Sequence, residues 1–120
     1  RVSEAITITI DTRTFEETMA VGERVAAACG AGDVVALVGE LGAGKTQFVR
    51  GLARGMGIDP GRVTSPTFVI AHEYESPDGM RVLVHVDAYR LHGRDELVSL
   101  GLADEDGGDL RSGAVMAVEW

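Results

Sequence analysis

The sequence contains little of several residue types whose abundance would indicate other classes of protein. Its 120 residues include one cysteine, Cys29, so an internal disulfide is excluded and a reducing compartment is indicated. No apolar run approaches the ~20 residues of a membrane-spanning helix, and no signal peptide is visible. We therefore predict a cytoplasmic protein without a membrane partner.

Basic residues are also scarce, which limits the ligands that the surface can attract. Eleven lysine and arginine residues stand against nineteen aspartate and glutamate residues, giving a net charge of −8. Such a surface repels nucleic-acid phosphates and anionic lipids. Any contact with RNA is therefore expected to be indirect, through a basic partner protein.

Lysine occurs once, and its position is informative. Lys45 lies within residues 39–46, GELGAGKT, which fit the phosphate-binding pattern G-x-x-x-x-G-K-[ST]. All other basic residues are arginine. A compact, flexible ammonium suits this position better than a planar guanidinium. The stretch therefore predicts a site for a nucleoside triphosphate.

Each residue type in this P-loop has a physical role. Glycines let successive backbone N–H groups turn towards phosphate oxygens. Lys45 would reach the β- and γ-phosphates, and the Thr46 hydroxyl is a hard oxygen ligand for Mg²⁺. The residues predicted to bind the nucleotide are Gly39, Glu40, Leu41, Gly42, Ala43, Gly44, Lys45 and Thr46.

The segments beside the P-loop have the expected order of strand, loop and helix. Val34–Val38 predicts a strand buried on both faces, and a helix with an apolar stripe is expected to begin at about Lys45. Four later glycines predict that the chain loosens after this helix: Gly51, Gly55, Gly57 and Gly61.

Two elements are predicted upstream. Residues Ala5–Ile10 alternate between apolar and polar side chains, as in a half-buried edge strand. Residues Thr14–Glu17 fit a capping box at the start of a helix. The predicted core stripe of this helix is Phe15, Met19, Gly22, Ala26 and Cys29.

Downstream strands are predicted to end in carboxylates. Residues 68–75 and 80–87 read as a hairpin whose second strand ends in Asp87, the candidate Walker B residue. Residues 114–118 read as a buried strand followed by Glu119. That carboxylate could bind Mg²⁺ directly or through water, orient the attacking water, or simply be solvated.

Residues 64–68, TSPTF, follow the P-loop helix, where NTPases have a switch segment that senses the γ-phosphate. Pro66 keeps Ser65 extended, so the hydroxyls of Ser65 and Thr67 can face the nucleotide. Without the P-loop, the same residues would read as a turn that begins a strand.

His85 and Asp87 are expected on one face of their strand. Together with His72 or His92 they could bind a transition metal. We do not favour this alternative, because the ligand spacing typical of zinc is absent.

In combination, several separated motifs resemble the bacterial TsaE (YjeE) family. They are Leu41–Thr46, Arg50-Gly51, Ser65–Phe68, His85–Leu91 and Glu119-Trp120. The resemblance implies an α/β fold, a three-layer P-loop NTPase-like domain with a mostly parallel central sheet and a β-hairpin or edge strand. It also implies that residues 1–120 form a single ATPase domain lacking the C-terminal strands of the full-length protein.

The TsaE family is the ATPase of tRNA N6-threonylcarbamoyladenosine (t6A) biosynthesis. The resemblance implies an Mg²⁺-dependent ATPase that works with the TsaB and TsaD proteins, which modify adenosine 37 of tRNAs reading codons that begin with A. ATP hydrolysis would reset the complex between rounds. ATP and Mg²⁺ are the implied cofactors.

The resemblance also assigns residues by position. It places residues 39–46 on the phosphates, Thr46 and Glu119 on Mg²⁺, and Asp87 as the Walker B carboxylate. Lys45, Asp87 and Glu119 are thus the predicted catalytic residues, with Asp87 also a candidate metal ligand. Ser65 and Thr67 match the switch segment, and Phe15 is expected near the base. This sequence has Glu40 and Gln47 where Asp and Thr are usual, and neither change removes a phosphate or metal ligand.

Two other functions fit a P-loop. A small-molecule kinase needs an acceptor pocket and an arginine-bearing lid, for which the stretch from Arg90 to Arg94 is a poor candidate. A nucleotide-gated binding module would bind MgATP without turnover.

Overall fold

The computed structural model describes residues 5–40, 42–64, 71–87 and 114–119. Within these ranges, two α-helices, a short 3-10 helix and four strands follow one another along the chain. They are α1 (Phe15–Ala28), β1 (Val34–Leu37), α2 (Lys45–Gly55), the 3-10 helix (Pro60–Arg62), β2 (Ala71–Glu75), β3 (Val82–Asp87) and β4 (Ala114–Glu119). None of the helices in these ranges is long and apolar enough to cross a membrane.

The described strands form one sheet in the order β1-β4-β3-β2. β4 is parallel to both β1 and β3, and β2 is antiparallel to β3. The predicted α/β fold with a mostly parallel sheet and a β-hairpin is confirmed. Because the three parallel strands run in the same direction, their carboxyl ends share one edge of the sheet.

Both faces of the central strands are buried. One face joins the helices in a core cluster that includes Leu52 of α2, Leu83 of β3 and Val115 of β4. The other face carries a second buried cluster, consisting of Val82, Val84, Val86, Ala114, Met116 and Val118. These continuous apolar runs are typical of strands covered on both sides.

The contact between α1 and α2 depends on Gly22, Gly51 and Gly55, and we call it the helix seam. A Cβ atom at Gly51 would lie 2.0 Å from the carbonyl oxygen of Met19, and one at Gly22 would lie 2.3 Å from that of Phe48. The predicted loosening at Gly51 and Gly55 is wrong, because both residues lie inside α2. They are glycines because the helices approach too closely for a side chain.

The start of α1 confirms the predicted Thr14 cap, but the Glu17 carboxylate reaches one residue further back than a capping box requires. The Thr14 hydroxyl accepts a hydrogen bond from the Glu17 N–H at 3.1 Å, and the Glu17 carboxylate accepts one from the Arg13 N–H at 2.8 Å. Phe15 is 71% exposed, so its place in the core stripe is wrong. The stripe reaches α2 only from Met19 onwards, where the helix seam begins.

Two strand predictions also need correction. Residues 5–10 form no strand, and Ile6 and Ile8 are 87% and 77% exposed. Alternation indicates which side chains share a face, but it supplies no neighbouring strand for the backbone. β1 is not buried on both faces either, because it lies at the end of the described sheet and leaves Val34 55% exposed.

Candidate functional site

The P-loop connects the carboxyl end of β1 to the first turn of α2. Gly42 and Gly44 have φ angles of 85° and 96°, in the left-handed region that favours glycine. Gly44 is the N-cap of α2 and offers no side-chain hydrogen bond to the helix. The positive end of α2 is therefore not covered by a capping side chain, which suits an anion.

Lys45 folds back over the loop, and its ammonium donates a hydrogen bond to the carbonyl oxygen of Gly39. A Cβ atom on Gly39 would lie 3.1 Å from the Cβ of Ala43 and 3.9 Å from the Cδ of Lys45. A side chain at position 39 would thus crowd the loop. In glycine-rich loops of this kind, phosphate oxygens are bound by backbone N–H groups together with one mobile cation.

The sheet brings the two predicted carboxylates to the edge that carries the P-loop. In register, Glu119 of β4 stands between Leu37 of β1 and Asp87 of β3. Since neighbouring strands lie about 4.8 Å apart, Glu119 is one strand spacing from the P-loop strand and Asp87 is two. Asp87 is half-buried, and only 12% of the Glu119 side chain is exposed.

A buried histidine holds one of these carboxylates. The imidazole Nε2 of His85 is hydrogen-bonded to Oε2 of Glu119, and the His85 side chain is 0% exposed. The sequence predicted His85 and Asp87 on one strand face but did not predict this contact. Spacing gives only part of the signal: His85 lies two residues before Asp87 and shares its strand face, but the spacing does not say which strand lies beside them.

The donor set suits Mg²⁺. This ion commonly binds one or two carboxylates together with substrate phosphates and water, and here Thr46 adds a hydroxyl at the second position of α2. Across the described ranges, no three histidine, cysteine or carboxylate side chains are arranged to hold a metal ion by themselves. Burial, and then the neighbouring His85, lower the pKa of His72 below its usual value.

The start of α1 lies beside the P-loop. The Cγ2 atom of Thr18 would be 3.9 Å from a Cβ placed on Gly44, and the Thr18 hydroxyl is 2.8 Å from that of Thr12. Phe15 is one helical turn before Thr18, so it lies on a neighbouring part of the same helix face. Its exposed ring is compatible with the predicted contact to a base, which stays a prediction.

α2 also contacts the residues that precede the predicted switch segment. The Nε of Arg50 donates a hydrogen bond to the carbonyl oxygen of Val63 at 3.1 Å. Other predicted features lie outside the described residues: Leu41, Ser65, Thr67, His92, the stretch from Arg90 to Arg94, and Trp120.

Comparisons with known proteins found similar sequences of one family. A family model described as "Threonylcarbamoyl adenosine biosynthesis protein TsaE" matches residues 12–120. The chain is 52% identical over 101 residues to a tRNA threonylcarbamoyladenosine biosynthesis protein TsaE of Streptomyces coelicolor, covering 82% of this chain and 64% of the relative. A Bacillus subtilis protein of the same name is 46% identical over 105 residues, covering 88% and 61%.

A solved structure is similar as well. The crystal structure of Bacillus subtilis YdiB matches with a TM-score of 0.62 and 40% identity, over 91% of this chain and 61% of that chain. This chain thus spans less than two thirds of the length of the matched chain in each of these comparisons.

Proposed function

Because the chain belongs to the TsaE family, we propose that it is the ATP-binding and ATP-hydrolysing subunit of the t6A modification machinery. One structural observation supports the proposal independently of the family name. A P-loop with an uncapped helix start shares a sheet edge with two carboxylates, Asp87 and Glu119. This is the set of groups that triphosphate hydrolysis requires.

In this proposal residues 39–46 bind the triphosphate, and Lys45 exchanges the Gly39 carbonyl for phosphate oxygens. Thr46 and Glu119 would hold Mg²⁺, with Asp87 as the Walker B carboxylate beside them. Bound Mg²⁺ would neutralise charge on the β- and γ-phosphates. Glu119 would also orient the attacking water, since it lies nearer than Asp87 to the P-loop strand.

We further propose that the protein acts in the cytoplasm with TsaB and TsaD, and that residues 1–120 belong to a single ATPase domain. The names of the relatives assign them to tRNA threonylcarbamoyladenosine biosynthesis. Because the chain has a net charge of −8, we propose that partner proteins, rather than this one, contact the tRNA phosphates.

Phosphate release from ATP tests this proposal. The full-length protein would be measured alone and with the purified TsaB–TsaD pair. We expect slow release alone and clear stimulation by the pair. No release in either case, with MgATP binding intact, would favour the gated binding module. A phosphorylated small-molecule acceptor would instead indicate a kinase.

Replacing the only lysine tests the phosphate site directly. Lys45→Ala removes the cation that pairs with the phosphates, so MgATP affinity should fall by about 100-fold, as expected for loss of a charged hydrogen bond. Affinity would be measured by titration calorimetry and folding by circular dichroism. Arg24→Ala, which removes an exposed charge from α1, is the control. Normal MgATP binding by a folded Lys45→Ala variant would contradict the assigned site.

A further inference from the structure

His85 occupies a position where a histidine is costly. Its ring is fully buried on β3, and Nδ1 has no hydrogen-bond partner in the described part of the chain. A buried polar atom without a partner destabilises the folded state, whereas leucine at the same position would leave no such atom. The stability of the sheet therefore does not explain the residue, and the contact made by its other nitrogen does.

That contact follows from the register of the parallel strands. His85 stands opposite Ala117, and Glu119 is two residues further along β4 on the same face. The small Ala117 side chain lets the imidazole extend across β4 to the carboxylate. Nε2 bonds Oε2, so Oε1 is the Glu119 oxygen outside this hydrogen bond.

We propose that His85 is a positioning residue that fixes the Glu119 carboxylate, so that Oε1 is presented to Mg²⁺ and the attacking water. The inference rests on the proposed function. A glutamate side chain has several rotatable bonds, and ordering it in advance removes an entropic cost from metal binding. His85 acts through Glu119 and is not itself a metal ligand in this arrangement.

Two amide variants of His85 test whether a donor at the position of Nε2 is what Glu119 requires. Glutamine can place a donor close to the position of the histidine Nε2, whereas asparagine has the same chemistry but is one methylene shorter. The readout is the ratio of ATP affinities with Mg²⁺ and with EDTA, measured on the full-length protein without turnover. We expect His85→Asn to lower this ratio by about tenfold or more, the usual effect of losing a residue that orients a metal ligand. His85→Gln should stay within about threefold of wild type.

A double-mutant cycle shows whether His85 acts through Glu119. Glu119→Gln should lower the ratio at least as much as His85→Asn. Adding His85→Asn to Glu119→Gln should lower it no further, since the carboxylate to be positioned is already gone. A purely structural role for His85 would instead reduce the ratio independently in both backgrounds.

The outcomes separate this inference from the proposed function. If wild type binds MgATP and both amide variants retain its metal ratio, the positioning role is wrong and the proposed function stands. Equal losses in the two amide variants, or additive losses in the cycle, also overturn it. If wild type does not bind MgATP at all, the proposed function fails and this inference fails with it.

Discussion

In the helix seam, Gly22, Gly51 and Gly55 let two helices touch, whereas in the P-loop Gly42 and Gly44 let the chain turn. The seam glycines have ordinary negative φ angles and no room for a Cβ atom. Gly42 and Gly44 are the reverse, because their φ angles are positive while the nearest atom to a new Cβ would be at least 3.9 Å away.

This difference separates a stability requirement from a functional one. In the seam an alanine could adopt the backbone but could not fit, so the helices must move apart. At Gly42 or Gly44 an alanine would fit but could not easily adopt the backbone, so the direction of the N–H groups must change. The first change should affect folding and the second should affect nucleotide binding.

Gly51→Ala should have the largest effect. The new Cβ would meet the carbonyl oxygen of Met19 at 2.0 Å, a backbone atom that cannot rotate away. Overpacking of this kind should lower the free energy of unfolding by roughly 3 kcal/mol or more, measured by urea denaturation. Gly30→Ala is the matched control, since no atom lies within 4 Å of its Cβ position and its φ is not positive. A Gly51→Ala variant as stable as Gly30→Ala would contradict the described seam.

Gly44→Ala should lower the free energy of unfolding less than Gly51→Ala does, but it should weaken ATP binding more. The left-handed conformation at φ 96° should destabilise an alanine by about 1–2 kcal/mol. Because Gly44 sets the direction of the first N–H groups of α2, ATP affinity should fall about tenfold or more. Gly57→Ala is the control, with a φ of 81° and open space outside the P-loop. The two variants should lose similar stability, and equal ATP affinities would show that the P-loop glycines serve folding alone.

The same contrast explains how far the sequence predicted the structure. The P-loop, the Thr14 cap and the carboxylates that end β3 and β4 were predictable, because each depends on a local pattern. The helix seam was not predictable. A glycine that is required by a close contact with another helix cannot be distinguished, in the sequence alone, from a glycine that ends a helix.

Contacts between distant residues were also beyond local patterns. The bond between His85 and Glu119 depends on β4 lying beside β3, which no spacing in the sequence specifies. The guanidinium of Arg81 similarly donates to the carbonyl oxygens of Ala26 at 3.3 Å and Cys29 at 3.4 Å, near the end of α1. The alternating isoleucines of residues 5–10 led to the opposite error. They predicted a strand, but these residues pair with none of the described strands.

The smallest expected effect tests whether Phe15, which lies outside the helix seam, belongs to the functional region. Phe15 is 71% exposed, so Phe15→Ala should change the free energy of unfolding by no more than about 0.5 kcal/mol. If its ring stacks on the adenine base, ATP affinity should nevertheless fall about fivefold, the lower end of the range for aromatic stacking. Met80→Ala is a matched control, because Met80 is 76% exposed and precedes β3, at the end of the strand opposite Asp87. Calorimetric titration with ATP and with inorganic triphosphate would separate the base from the phosphates. A loss of affinity for ATP but not for triphosphate would assign Phe15 to the nucleotide site. Unchanged affinity for both ligands would show that Phe15 does not contact the base.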